Sequence, residues 1–127
     1  MSSLTTRSAP EPRGPYPHCR TELGMVWVTG QIGRDPATQQ IVDGGFAAEF
    51  EQAITNLATI LDEAGASLAA VVKAEVQFVD EGDLDEMNRI YGARFCEPYP
   101  ARTSYGAAFL WKGARVQISA VAIAGEQ

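Results

Sequence analysis

The segment Tyr99-Pro100-Ala101-Arg102-Thr103-Ser104 concentrates the chemistry of this chain. There a proline-stiffened loop delivers an arginine and two hydroxyl residues into the start of a strand. Arginine presents a rigid fork of donors that holds a carboxylate through two parallel hydrogen bonds. The expected ligand is therefore a small carboxylate-bearing metabolite, gripped by Arg102. Two other places admit a ligand. Gly14-Pro15-Tyr16-Pro17 is a stiff turn that fixes where the Tyr16 ring points. Gly30-Gln31-Ile32-Gly33 ends an apolar strand with two glycines, which permit the close approach of backbone and ligand.

Other chemistries are excluded by what is missing. The chain has no phosphate-cradling glycine loop, no nucleophile elbow and no paired His and Cys. The single histidine, His18, lies in a proline-rich turn and reads as structural. With that histidine, the two cysteines Cys19 and Cys96 and no Cys-x-x-Cys motif, soft ligands are too few for zinc, so no metal is expected. Trp27 and Trp111 read as core or interface fillers. A formal net charge of -6, with no run of Lys and Arg, sets the chain against phosphate backbones and anionic lipid. Neither nucleic acid nor membrane is an expected partner. No apolar stretch approaches the roughly 18 residues of a spanning helix. The opening MSSLTTRSAPEPRG lacks a secretory apolar segment, so a cytoplasmic protein with reduced thiols is expected.

The elements that must position these residues follow from periodicity. The 127 residues, 46% hydrophobic, suit one core and one domain, residues 1–127, with 1–13 as an extended arm lacking any apolar period. β-Branched and aromatic residues predict a strand over 25–29. Phe46, Phe50, Ile54, Leu57 and Leu61 form one stripe of a helix over 46–64, with Glu49, Glu51, Gln52 and Glu63 off it and Gly65 as its stop. Alternation predicts a strand over 72–79, with Ala74, Val76 and Phe78 on one face and Lys73, Glu75 and Gln77 on the other. Asp83 with Glu86 has the form of a capping box for a second helix, whose inward residues are Leu84, Met87, Tyr91 and Phe95. Strands over 103–109 and 114–123 complete an α+β fold, a mixed sheet with two helices packed on one face. Val28, Val79, Val121 and Ile123 are then left for the far face, which predicts a homo-oligomer.

Several short motifs occur in order. These are Gly14-Pro15-Tyr16, Thr29-Gly30-Gln31-Ile32, Asn88 with Tyr91, Pro100-Ala101-Arg102-Thr103-Ser104, and the last strand Val116-Gln117-Ile118-Ser119-Ala120-Val121-Ala122. Together they resemble the Rid family of reactive-intermediate deaminases, over residues ~9 to 124. The resemblance implies a chorismate-mutase-like fold assembled as a homotrimer with sites between subunits. It implies hydrolysis, without a cofactor, of enamines and imines such as 2-aminoacrylate and 2-iminopropanoate to a 2-keto acid and ammonia. By similarity Arg102 is the carboxylate fork. Ser104, where the family usually has cysteine, lends its backbone N–H, and Tyr16 closes the pocket from one side. Asn88 matches a position near the cleft, and Gly30 lets backbone approach the ligand.

One departure bears on activity. Active members carry a glutamate on the last strand that positions or activates water, and its matching position here is read as Ser119, in phase with Arg115 and Gln117. Serine is no general base at neutral pH, and losing a positioned carboxylate costs roughly 10²–10⁴-fold in proton-transfer catalysis. Glu126, seven residues on, carries no sign of substituting. Two alternatives to a slowed deaminase stay open. One is an enzyme acting on another carboxylated intermediate; the other is a non-catalytic carboxylate-binding trimer.

Overall fold

The computed structural model describes residues 2–125, so Glu126 lies outside the described residues. Six strands form one sheet: β1 Ser2–Leu4, β2 Cys19–Glu22, β3 Met25–Gln31, β4 Val71–Phe78, β5 Ala101–Gly106 and β6 Val116–Ile123. Their spatial order is β1-β2-β3-β6-β4-β5, with β4 and β5 parallel and every other pair antiparallel. Two helices, α1 Gly45–Glu63 and α2 Leu84–Arg94, complete the α+β architecture. α1 lies across β3 and β6, and α2 packs beside it. No helix among the described residues is long and apolar enough to cross a membrane.

The expected stripe of α1 is the centre of the core. Phe46, Phe50, Ile54, Leu57 and Leu61 are all buried, against Val26 and Val28 of β3 and Val116, Ile118, Ala120 and Ala122 of β6. The helix stops where glycine predicts. Gly65 takes a φ of +83°, and Ala66 N–H donates to Leu61 O at 2.8 Å, which satisfies a carbonyl of the last turn. α2 buries Met87, Ile90 and Tyr91, and Phe95 just past its end is buried with them, the Tyr91 and Phe95 rings stacked with centroids 4.3 Å apart.

Several expectations change. Two strands precede 25–29: β1 pairs with β2, so the arm is tied to the sheet through its start. It is tied again by His18, whose buried Nδ1 accepts from Thr6 N–H at 3.0 Å while Nε2 donates to Pro10 O at 2.6 Å. A segment without apolar period can still be a strand when a buried imidazole and an edge ladder hold it. The capping box does not form. Asp83 makes no side-chain cap bond; Asp80 instead accepts from Gly82 N–H at 2.8 Å and opens a 3₁₀ turn, Glu81–Asp83, ahead of α2. Val28 faces the helices and Trp27 takes the open face, because Trp27 pairs with Val121 in the phase opposite to the β6 core residues. β5 starts two residues early, at Ala101, and ends at Gly106, because its partner is β4, whose ladder runs from Lys73↔Ala101 to Phe78↔Gly106.

Glu49, expected on a solvated face, is buried: its Oε1 accepts from Arg115 N–H at 2.9 Å and so fixes the entry into β6. Asn56, two turns further along the same helical face, donates to Arg34 O at 2.9 Å and Ile32 O at 3.3 Å, which anchors the exit from β3. Open-face strand residues include exposed Trp27, Tyr105 and Ile123. Truncating the core centre by Leu57→Ala should cost about 2–5 kcal/mol in chemical denaturation at an unchanged slope, and a cost below about 1 kcal/mol would mean that α1 does not hold the sheet.

Candidate active site

Arg102 sits on the edge strand β5 in register with Ala74, on the side of the sheet that the helices cover. Two residues of α2 receive it. The guanidinium lies over the Tyr91 ring, 4.7 Å from its centroid, and NH2 donates to Asn88 Oδ1 at 2.6 Å. Their spacing of three puts both on one helical face. One donor is thus engaged with a neutral amide, and the rest of the fork makes no bond to the described residues. Beside it on β5, Ser104 follows two positions along and so points to the same side. Its Oγ is buried and has no hydrogen-bond partner among the described residues; the Tyr91 hydroxyl is in the same condition. Burial pushes the Tyr91 phenol above its ordinary pKa, with Arg102 pulling the other way, so the hydroxyl keeps its proton and can donate. Arg102, Asn88 and Ser104 are therefore brought together, with Tyr91 as the platform whose polar role the sequence did not disclose.

Tyr16 and Gly30 form a second group. Tyr16 N–H donates to Gly14 O at 2.8 Å, and its ring folds back so closely that a Cβ on Gly14 would lie 2.5 Å from Tyr16 Cε2. β3 is irregular between Val28 and Gln31, and Gly30 falls in that irregularity. Here the side chain of Gln117 lies against the backbone: a Cβ on Gly30 would meet Gln117 Cδ at 2.6 Å. Tyr16, Gly30 and Gln117 line one cavity of about 60 Å³, together with Thr29, Arg13, Arg34 and Trp111. Gln117 is in turn held by an amide chain across the open face. Its Nε2 donates to Gln77 Oε1 at 3.1 Å, and Gln77 Nε2 donates to the Tyr105 hydroxyl at 2.8 Å. Gln117 Oε1 accepts no hydrogen bond among the described residues, and Gln117 lines the cavity.

Ser119 joins neither group. It pairs with Glu75 and lines a shallow patch with Trp27, Lys73 and Val121. The β6 residue at the Tyr16 cavity is Gln117, which shares the alternation phase of Ser119 and lies one pleat nearer the end of β3. The signal that could have found it is the ladder itself: Gln31 pairs with Ile118, which places Gln117, not Ser119, at the β3 exit. Among the described residues no group of three His, Cys, Asp or Glu is placed to hold a metal ion.

The two groups cannot meet within one protomer. They lie on opposite faces of the sheet, and β3 and β5 are three spacings apart, about 14 Å at ~4.8 Å each. Gly30→Ala tests the second group. The added Cβ should displace the end of Gln117, break its bond to Gln77 and shift the side-chain amide resonances of both. Stability should fall by no more than about 1–2 kcal/mol, since a single hydrogen bond is lost. Unmoved resonances would show that Gly30 gives Gln117 no necessary room.

The family model described as Endoribonuclease L-PSP matches residues 6–124. The chain is similar to a protein named 2-iminobutanoate/2-iminopropanoate deaminase in Bos taurus, at 42% identity over 98% of this chain and 95% of that protein. The protein of the same name in Homo sapiens is also 42% identical over the same shares. Among solved structures, RidA from an Antarctic Psychrobacter bacterium is 35% identical with a TM-score of 0.93, over 97% of this chain and 99% of that one. The match of residues 6–124 and the likeness in structure carry one conclusion: this chain belongs to the Endoribonuclease L-PSP family, the group that includes the RidA proteins.

Proposed function

We propose that this protein is a 2-imino acid deaminase that works as a homotrimer, with each site formed between two subunits. The observation that carries the reading is the state of Arg102. Its guanidinium is stacked on Tyr91 and aimed by Asn88, yet most of its fork is free beside the unpartnered Ser104 hydroxyl. A cation held in place with unused donors is a receptor for a carboxylate. The relatives named for 2-iminobutanoate and 2-iminopropanoate, both carboxylates, support the same substrate class. Assembly follows from the separation of the groups: Arg102 on the edge strand of one subunit completes the Tyr16–Gly30–Gln117 cavity of its neighbour. The exposed Trp27, Tyr105 and Ile123 supply apolar surface for the contact.

In this site Arg102 pins the carboxylate, which fixes the adjacent imine carbon. Gln117 Oε1 accepts a hydrogen bond from water and aims its oxygen at that carbon. Tyr16 covers the site. Water forms the new C–O bond and the C=N pair moves to nitrogen; a proton passes from the added oxygen to that nitrogen, and the carbinolamine then releases the nitrogen as ammonia, which takes the remaining hydroxyl proton as the C=O of the 2-oxo acid forms. No oxidant, reductant or cofactor enters the balance. Gln117 is neutral and takes no proton, so the step depends on positioning and on the inherent electrophilicity of a protonated imine. The Ser104 hydroxyl and its backbone N–H are available to the substrate carboxylate.

The direct test generates 2-iminopropanoate from alanine with an amino-acid oxidase and traps the remaining imine with semicarbazide. Wild-type protein should lower the semicarbazone yield and Arg102→Ala should restore it. Equal yields with and without wild type at micromolar protein would overturn the deaminase reading in favour of a binding role. Gln117→Glu adds a basic group where Gln117 only positions water, so kcat should rise by about 10-fold or more. The variant should also gain an acid limb that wild type lacks, because the new carboxylate works only when ionised. A kcat unchanged by Gln117→Glu would remove Gln117 from the reaction.

A further inference from the structure

We propose that Arg13, Arg34 and Trp111 form a second carboxylate site in the Tyr16 cavity, so that the preferred substrate is a short 2-imino dicarboxylic acid. The inference rests on the deaminase reading for the reaction, but its binding component stands apart from turnover.

Arg34 is only 6% exposed, yet every hydrogen bond of its side chain goes to a neutral acceptor. NH1 donates to Glu11 O at 2.8 Å, NH2 to Gln39 Oε1 at 2.8 Å and Nε to Gln39 O at 3.2 Å. Neither Arg34 nor Arg13 makes an ion pair among the described residues. A buried cation without a carboxylate partner carries a desolvation penalty that an incoming anion relieves. Burial and the nearby Arg13 both lower the Arg34 pKa, with Glu11 and Tyr16 opposing, so the guanidiniums sit in each other's field. Two guanidiniums against the single carboxylate of Glu11 leave this wall positive in a chain whose net charge is -6.

The wall is also preorganised. Asn56 of α1 holds Arg34 O at 2.9 Å, and Asp35 N–H donates to Gln40 O at 2.8 Å to close the loop that carries Gln39. The Arg34 guanidinium lies 5.2 Å from the Trp111 ring centroid, and Lys112 Nζ lies 5.4 Å from the same ring. Lys112 takes the left-handed φ of 57° in doing so. Arg13 is exposed and makes no hydrogen bond or ion pair among the described residues, which leaves it able to close on a ligand. The cavity of about 60 Å³ has room for roughly four waters, hence for a methylene and a carboxylate. A diacid then spans the site. Its first carboxylate lies on Arg102 of the neighbouring subunit, its imine carbon beside the water on Gln117, and its second carboxylate between Arg13 and Arg34. That second group is untouched by the reaction.

The experiment compares two imines made in place, 2-iminopropanoate from alanine and 2-iminosuccinate from aspartate, on the full chain. Wild type should favour the diacid in kcat/KM by at least about 10-fold, and Arg13→Ala should cut that ratio by about 10- to 100-fold, the worth of one charge-assisted hydrogen bond. A ratio at or below one, or a ratio that Arg13→Ala leaves unmoved, overturns the proposal. Calorimetric titration with oxaloacetate and 2-oxobutanoate separates this failure from failure of the deaminase reading. If neither imine is consumed, tighter binding of the diacid that Arg13→Ala abolishes still supports the second carboxylate site. Equal binding of the two acids overturns it. Arg13 is exposed and outside the core, so the variant should fold, which its thermal midpoint will verify.

Discussion

The pleat of the sheet governs this site. Successive side chains on a strand leave opposite faces, so Arg102 in register with Ala74 goes to the helix side while Gln117 in register with Gln77 goes to the open side. With three strand spacings between β3 and β5 as well, the Arg102 guanidinium and the Gln117 amide belong to different surfaces of the protomer. The function proposed for this chain therefore requires a neighbour. Oligomerisation is then a condition of chemistry and not only a way to cover Trp27 and Ile123.

Apolar burial and polar placement divide the work of building those surfaces. The α1 stripe against β3 and β6 supplies the bulk of the stabilisation, since each fully buried aliphatic or aromatic side chain contributes about 1.5–3 kcal/mol. Single hydrogen bonds contribute about 1 kcal/mol or so and cannot compete as a driving force. What they decide is where loops lie. Glu49 places the entry to β6, Asn56 places the loop carrying Arg34, and His18 ties the N-terminal arm beside Tyr16. Three polar side chains in buried positions thus link the core to the walls of the cavity.

Gln117 gives the site its particular character. An amide can be fixed in one orientation by a hydrogen-bonded chain, here through Gln77 to Tyr105, and a neutral group in that place adds no negative charge. A carboxylate there would repel a ligand with two carboxylates, whereas an amide beside two guanidiniums receives one. In the proposed reaction the neutral Gln117 and the cations Arg13 and Arg34 point in the same direction, toward a more anionic substrate and a step driven by position.

Periodicity alone determined α1, α2 and the strands β3, β4 and β6, because each of these depends on contacts within a few residues or on one buried face, whereas Arg102, read in the loop ahead of a strand over 103–109, joins β5 through its ladder with β4. The motifs around Tyr16, Gly30, Asn88, Arg102 and Ser104 were likewise legible, since their order along the chain carries the family resemblance. Strands β1 and β2 were not, because the ladder and the buried His18 that hold them join residues far apart in sequence. Nor could alternation choose between Ser119 and Gln117, which share one phase; only the register of β6 on β3 separates them. The burial of Glu49 and the clustering of Arg13, Arg34 and Trp111 have the same origin. Local pattern sets which face a side chain takes, and only the tertiary fold decides what it finds there.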